Sequence, residues 1–446
     1  MLKKLKKLFD SGTSSAPYTV IPESEHQIDD SLISNSAHRV IDKLQQAGYE
    51  AYLVGGGVRD LLLDSKPKDF DVATDATPEE TKQVFNNARI IGKRFRIVHV
   101  RFGREIIEVT TFRASHTDAS NTREAHQNDE GMLLRDNVYG DIVSDAARRD
   151  FTVNALYYDP GNGELLNFGS SLKDLRERTL RIIGDPEARY KEDPVRLLRV
   201  VRFAAKLGFR IESKSEKPIR EHAEYLANVP SARLFEEVLK LFANGSATAT
   251  LGLLREYELL QYLFPSLDFC LKRGNETDNN LVNHAASNTD KRIRQGKRIT
   301  PAFIYAAFLW PALRANMRKL IQEQQLSTHE AMQQAAQSVV SQQLNHTSIP
   351  KRFLIPMREI WALQLRLPKR DKRRAYLTLE HPRFRAAYDF VLLREQAGEQ
   401  LNGLGMWWTK FQNSSDNERQ TLIDAVRNES GSSRKPRRRR SRGKKD

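Results

Sequence analysis

The sequence predicts an α+β fold: a small head with a mixed sheet, followed by an elongated all-α neck and body. Three observations carry this. Short apolar runs at Ala51–Val54, Arg89–Ile91, Ile97–Arg101 and Glu105–Thr111 read as strands, the last two joined by a hairpin turn at Gly103. Helical patterns alternate with them: Ala37, Ile41, Leu44 and Ala47 form one stripe that Gly48 can stop. After Leu175–Ile183, which leads out of the head, helices dominate, broken at Pro265, Gly274, Pro301, Pro350, Pro368 and Pro382 without a regular repeat.

At 446 residues the chain is long enough for several domains with buried cores. Composition shifts divide it into a flexible N-terminal extension (1–35), a head (36–180), a helical neck (181–250), a helical body (251–428) and a disordered basic tail (429–446). Cys270 is the single cysteine, which excludes an intrachain disulfide and a cysteine metal cluster and fits a reducing compartment. No apolar run approaches the ~18 residues of a spanning helix. Formal net charge is +15, and the stretch Arg434–Asp446, with nine Lys or Arg and one Asp, accounts for +8 of it. This excess points to a polyanionic partner, with a membrane surface as the lesser alternative. The start MLKKLKKLF is read as a frayed terminus, with weak contact to an anionic surface as its alternative.

The chemistry concentrates in Tyr52–Asp71, YLVGGGVRDLLLDSKPKDFD. Gly55 and Gly56 lie between the first strand and a short helix bearing Arg59 and Asp60, where backbone N–H groups are free to meet phosphate. Asp69 and Asp71 are two residues apart, so on a strand both carboxylates project from one face as paired Mg2+ ligands. Thr77-Pro78-Glu79-Glu80 reads as a capped helix start. Glu108, alone among apolar neighbours, is either a third catalytic acid beside the aspartates or an edge-exposed glutamate. The polar segment Ala114–Asp136 reads as an irregular excursion, with His116 and His126 solvated.

A second block, DAARRDFTVNALYYD from Asp145, places Arg148, Arg149, Asp150 and Asn154 ahead of or within an apolar run. Arginine forks suit a triphosphate, and Asp150 and Asn154 can orient them or hydrogen-bond a sugar. In EDPVRLLRVVRFAAKLGF, Asp193, Arg196 and Arg199 recur every third residue, opposite the apolar Leu197, Val200, Ala204 and Leu207. They form a ridge able to reach a base and phosphates, or a salt-laced packing face. Arg233 and Glu237 form an i,i+4 brace. Arg273–Gln295 reads as a polar loop containing His284. Arg352, Arg366, Lys369, Arg370, Lys372, Arg373 and Arg374 make a basic region near Trp361, Tyr376, Trp407 and Trp408. Those aromatics are read first as core, with stacking on RNA bases as the alternative.

Taken in order, LVGGGVRD, DFDVATDATPEE, EVTTFR, RRDFTVNAL, EDPVRLLR and the ARLFEE region make residues 38–245 resemble the bacterial poly(A) polymerase and tRNA CCA-adding nucleotidyltransferase family. The resemblance implies a Pol-beta-like head that transfers a nucleoside monophosphate to an RNA 3′ hydroxyl by two-metal catalysis. It implies Mg2+ on Asp69 and Asp71, with Mn2+ as a substitute, and triphosphate contacts from Gly55, Gly56 and Arg59. Arg149, Asp150 and Asn154 would contact phosphates or ribose, while Glu192, Asp193 and Arg196 would read the base. The N-terminal extension, sparse evidence for a phosphohydrolase-type C-terminal domain and the basic tail favour the poly(A) branch, with ATP as substrate. CCA addition, or a non-catalytic RNA-binding adaptor, is the alternative. The expected setting is a cytoplasmic monomer acting on RNA 3′ ends with RNA-decay proteins, and not on DNA.

Overall fold

The computed structural model describes residues 17–92, 96–114, 125–127, 133–136 and 138–431. The amphipathic start, His116 and the basic tail from Ser432 lie outside the described residues. Internal contacts divide the chain into two units at Val229/Pro230, whereas composition suggests boundaries at 180/181 and 250/251.

In the first unit the strands include β1 (Tyr18–Ile21), β2 (Ala51–Val54), β3 (Asp71–Thr74), β4 (Ala88–Ile91), β5 (Ile97–Phe102) and β6 (Glu105–Thr111). They are followed by β7 (Ala125–Gln127), β8 (Leu133–Asp136), β9 (Leu156–Asp159) and β10 (Glu164–Phe168). Eight of these form one sheet in the order β1-β10-β9-β2-β3-β6-β5-β4. Within it β3 and β6 run parallel and the other neighbours antiparallel. The mixed sheet is therefore present.

Three local expectations change. Residues 18–32, read as part of a flexible extension, form β1, a short helix at Glu23–His26 and a 3-10 turn at Asp30–Leu32. Here β1 gains a full set of partners on the edge of β10, with Tyr18 opposite Phe168. The polar excursion contains the antiparallel pair β7–β8. Asp69 lies in a bend just ahead of β3, so Asp71 alone of the two aspartates is on a strand.

Helix α1 (Asn35–Gln46) follows the sequence stripe, burying Ala37, Val40, Ile41 and Leu44, with Ser34 capping the Ala37 amide. Next come α2 (Gly56–Leu62) and α3 (Pro78–Val84), the latter with a complete Thr77–Glu80 capping box. Then follow α4 (Ile142–Arg148), α5 (Pro186–Glu192) and α6 (Val195–Leu207). The core under the active face is aromatic, built on Phe112, Tyr157 and Phe168 against Val54, Ala73 and Leu166.

The second unit is helical. It contains α7 (Ser231–Phe242), α8 (Glu276–Arg294), α9 (Pro301–Gln324), α10 (Lys351–Gln364), α11 (Phe384–Gln396) and α12 (Leu404–Asn413). The supposed loop Arg273–Gln295 is mostly α8, started by Asn275 capping the Asp278 amide and burying Leu281, Val282, Ala285 and Ala286. Polar composition hid that stripe. Trp361 and Trp408 are fully buried and Trp407 nearly so, and their indole N–H groups donate to the carbonyls of Ala306, Leu367 and Leu422. Burying roughly 200 Å² of indole is worth about 5 kcal/mol, more than the ~1–3 kcal/mol of a stacked base. These tryptophans are core, and the stacking alternative for them is set aside. No helix among the described residues is long and apolar enough to cross a membrane.

Candidate active site

The glycine turn comes first because β2 must reverse into α2 within one residue. Gly55 takes φ +69 and ψ −127, a conformation open to glycine alone. A Cβ there would also press on Arg149 Nη1 at 3.2 Å, and one at Gly56 would meet the Arg59 guanidinium at 3.5 Å. The turn is thus packed directly on two of the expected phosphate-binding arginines.

Beside the turn stand the carboxylates. Register places Asp71 of β3 opposite Glu108 of β6, and Glu108 opposite His99 of β5, so all three share one face. His99 Nε2 lies 3.2 Å from Glu108 Oε1. Burial, reinforced by the Glu108 charge and further by Asp69, pushes Asp71 up to about 6, while Arg149 pulls the other way. Asp69, Asp71 and Glu108 therefore share one electrostatic neighbourhood, although Asp69 reaches it from outside the strand.

The arginines are held by a buried polar lattice. Arg149 donates from Nε to the Tyr157 hydroxyl at 2.8 Å and from Nη2 to Asp145 Oδ2 at 3.1 Å. Tyr157 donates to the same carboxylate oxygen at 2.6 Å. Burial opposes the charge of Arg149, but Tyr157 and Asp145 more than offset it and hold the group above the usual arginine range. Arg59, 2% exposed, donates to Asp60 at 2.9 and 2.6 Å and to Asn154 Oδ1 at 2.8 Å. Asn154 in turn donates to Asp150 Oδ1 at 3.0 Å.

Asp150 is the junction to the helices. Arg199 forks onto Asp150 Oδ2, with Nε at 2.7 Å. Burial alone would raise the Asp150 carboxyl, but the Arg199 charge and the donors Asn154, Arg199 and the Phe151 amide hold it down to about 2. Glu192, at the end of α5, is gripped by Arg189 at 2.5 Å and Arg196 at 2.6 Å. Asp193 caps α5 in an extended conformation and precedes α6, so it is not on the helix that carries Arg196 and Arg199.

Sequence reasoning passed over Asp145, Tyr157 and Arg189. Asp145 stands four residues before Arg149 on α4, a helical spacing that was available as a signal. Tyr157 and Arg189 had none. Arg189 reaches the carbonyls of Arg148 and Arg149, the latter at 2.8 Å, across some forty residues of chain. Burial and the neighbouring Arg196 lower Arg189 to about 10, and burial with Arg113 depresses Arg148 as well. Crowded, desolvated guanidinium groups of this kind favour an incoming polyanion. The structure thus gathers Gly55, Gly56, Arg59, Asp69, Asp71, Glu108, Arg149, Asp150, Asn154, Glu192, Asp193, Arg196 and Arg199 within the first unit.

Residues 51–181 match the poly A polymerase head domain, 208–271 the probable RNA and SrmB-binding site of polymerase A, and 324–444 the polymerase A arginine-rich C-terminus. Poly(A) polymerase I of Salmonella typhimurium is 45% identical over 431 residues, 96% of this chain and 92% of that protein. The chain belongs to the poly(A) polymerase I family. As a poly(A) polymerase it is an enzyme, and its head is that of a nucleotidyltransferase. A CCA-adding enzyme of Lactobacillus helveticus is 38% identical over 202 residues, 45% of this chain and 48% of that one. The solved apo form II of a CCA-adding enzyme shares the fold, with a TM-score of 0.58 at 17% identity, covering 91% of this chain and 94% of that one.

Proposed function

We propose that this polymerase adds AMP from ATP to RNA 3′ hydroxyl ends without a template, releasing pyrophosphate, and thereby marks RNA for decay. The observation that carries the chemistry is the carboxylate face of Asp71 and Glu108, with Asp69 beside it, set against the locked Arg149. The hard carboxylate oxygens of Asp69 and Asp71 suit Mg2+, which is held by one or two carboxylates together with substrate phosphates and waters. The Asp71 carboxyl, raised first by burial and then by the Glu108 and Asp69 charges, fits the same role, since a bound cation would offset both. Asp69 and Asp71 would hold it. Divalent ions bound there supply activation of the hydroxyl and neutralisation of phosphate charge.

The chain's own residues do the placing. Gly55 and Gly56 let the triphosphate approach the backbone, and Arg59 and Arg149 meet its charge. Asp150 and Asn154 fix those arginines or the ribose. Glu192, Asp193 and Arg196 offer donors and acceptors to the base edge, and Arg199 holds Asp150. Glu108 acts beside Asp71, with His99 Nε2 3.2 Å from its carboxylate. In this reading residues 36–180 are the catalytic head, 181–250 the base-reading neck and 251–428 the RNA-binding body, with RNA-decay proteins as partners.

CCA addition is the second reading, favoured by the shared head. The similarity along nearly the whole chain to a poly(A) polymerase I, against 45% of it for the CCA-adding relative, supports the first. Purified protein incubated with RNA and each nucleoside triphosphate separately decides between them. Long A tails on unrelated RNAs support polyadenylation; termination after CCA on tRNA overturns it.

A further inference from the structure

We propose that a cleft on the second unit, between α8, α9, α10 and α11, binds one nucleotide of single-stranded RNA. The base would rest on an apolar floor and the flanking phosphates on a cationic rim. The proposal rests on the reading that the enzyme acts on RNA, and adds a second, non-catalytic site for that RNA.

The cleft holds about 540 Å³, inside the ~300–1,000 Å³ range of small-molecule sites. Its floor includes Phe303, Ile304, Ile360 and Leu393. Phe303 is half-buried and meets Phe390 edge-on, ring centroids 5.9 Å apart at 79°. Six cations line the walls, Lys291, Arg292, Lys297, Arg298, Arg383 and Arg385, against the single carboxylate Asp389.

The end of α8 explains why four of the cations gather. Gly296, at φ +65, closes the helix: the Lys297 amide donates to the Arg292 carbonyl and the Gly296 amide to the Ile293 carbonyl, each at 2.9 Å. The chain reverses, and Arg292 Nη2 donates to the Arg298 carbonyl at 3.1 Å. Lys291, Arg292, Lys297 and Arg298 are thereby collected at one end of the helix.

Counter-charge is short. Arg385 is taken by Asp389 at 3.1 Å and Arg383 by Glu359 at 3.1 Å. Among the described residues no carboxylate pairs with Lys291, Lys297 or Arg298. An apolar segment would fill the floor and leave these three charges unanswered. A phosphodiester strand answers them, and its base supplies the flat apolar surface that Phe303 and its neighbours accept.

Binding of a fluorescent oligoadenylate to the full chain, followed by anisotropy at rising KCl, tests the site. Lys297→Ala/Arg298→Ala is expected to weaken binding on the order of tenfold at low salt and to flatten the salt slope by about 1.4, two contacts at ~0.7 each. Phe303→Leu is expected to weaken it by about tenfold with the slope unchanged. An oligoadenylate carrying an internal photoreactive base should cross-link to the peptide containing Phe303, and thermal melts confirm that the variants are folded. Wild-type protein that does not bind the oligonucleotide overturns the RNA reading together with this site. Wild-type binding matched in affinity and slope by the double variant overturns the cleft alone. Competition at the cross-link by polyaspartate but not by unlabelled oligoadenylate assigns the cleft to an acidic peptide and likewise overturns the proposal.

Discussion

Arg59 and Arg149 in the first unit sit under protein, each with a carboxylate and a neutral partner at hydrogen-bond distance. Lys291, Lys297 and Arg298 in the second unit stand exposed at the rim of a cleft with one carboxylate. The same charge is held in two ways. A buried, paired guanidinium is immobile and defines where a phosphate must lie, at the cost of desolvation. An exposed cation keeps its hydration and conformational freedom, contributes attraction that salt screens, and positions nothing closely.

The contrast can be broken in order of effect. Asp71→Asn removes a charge from the most crowded point of the head. Its folding should survive, since repulsion from Glu108 is relieved, while AMP incorporation falls roughly a thousandfold, several kcal/mol of lost transition-state stabilisation. Near-normal incorporation by a folded variant would remove the carboxylate face from the mechanism.

Arg199→Ala leaves Asp150, whose side chain is 10% exposed, without its guanidinium. A loss of about 3 kcal/mol in urea denaturation is expected; a loss under 1 kcal/mol would mean that Asn154 and the Phe151 amide suffice.

The same carboxylate sets an acid limit. Its pKa is depressed to about 2 from an ordinary 3.8, so its stabilisation is complete above the ordinary value and disappears as pH falls through about 2. The amount is about 2 kcal/mol. Denaturation measured between these pH values should show this slope in the parent protein and not in Asp150→Asn; parallel curves would exclude it.

Smallest is an exposed pair of the second unit, Lys319 and Glu323 on α9, 3.9 Å apart. Glu323→Ala should shift stability by less than about 0.5 kcal/mol, and a larger shift would erase the distinction between buried and exposed charge.

Local signals carried much of this into the sequence. Thr77 announces its helix because a cap is made within a few residues, and that cap forms as read. The strands around Gly103 pair through a short turn as read, while the long-range register of β3 on β6 is what sets Glu108 opposite Asp71. What was missed depends on long-range pairing. Nothing near Tyr18 says that Phe168 will lie opposite it, and nothing near Arg189 says that its guanidinium will reach the Arg148 and Arg149 carbonyls. Composition misled where a helix buries a narrow stripe of Leu, Val and Ala beneath a polar exterior, as α8 does. Trp361 and Trp408, set among cations in the chain, point inward because their N–H groups find carbonyls there.

The pairing of β1 with β10 has a consequence for biogenesis. Tyr18 leaves the ribosome long before Phe168 exists, so the first strand must wait for its neighbour in the sheet. Closing so long a loop is slow relative to local pairing. During that interval β10, once paired with β9, still offers an open row of amides and carbonyls to any other extended segment. The first strand of the chain thus docks late on the head, and its arrival moves the open edge of the sheet from β10 to the short, four-residue β1.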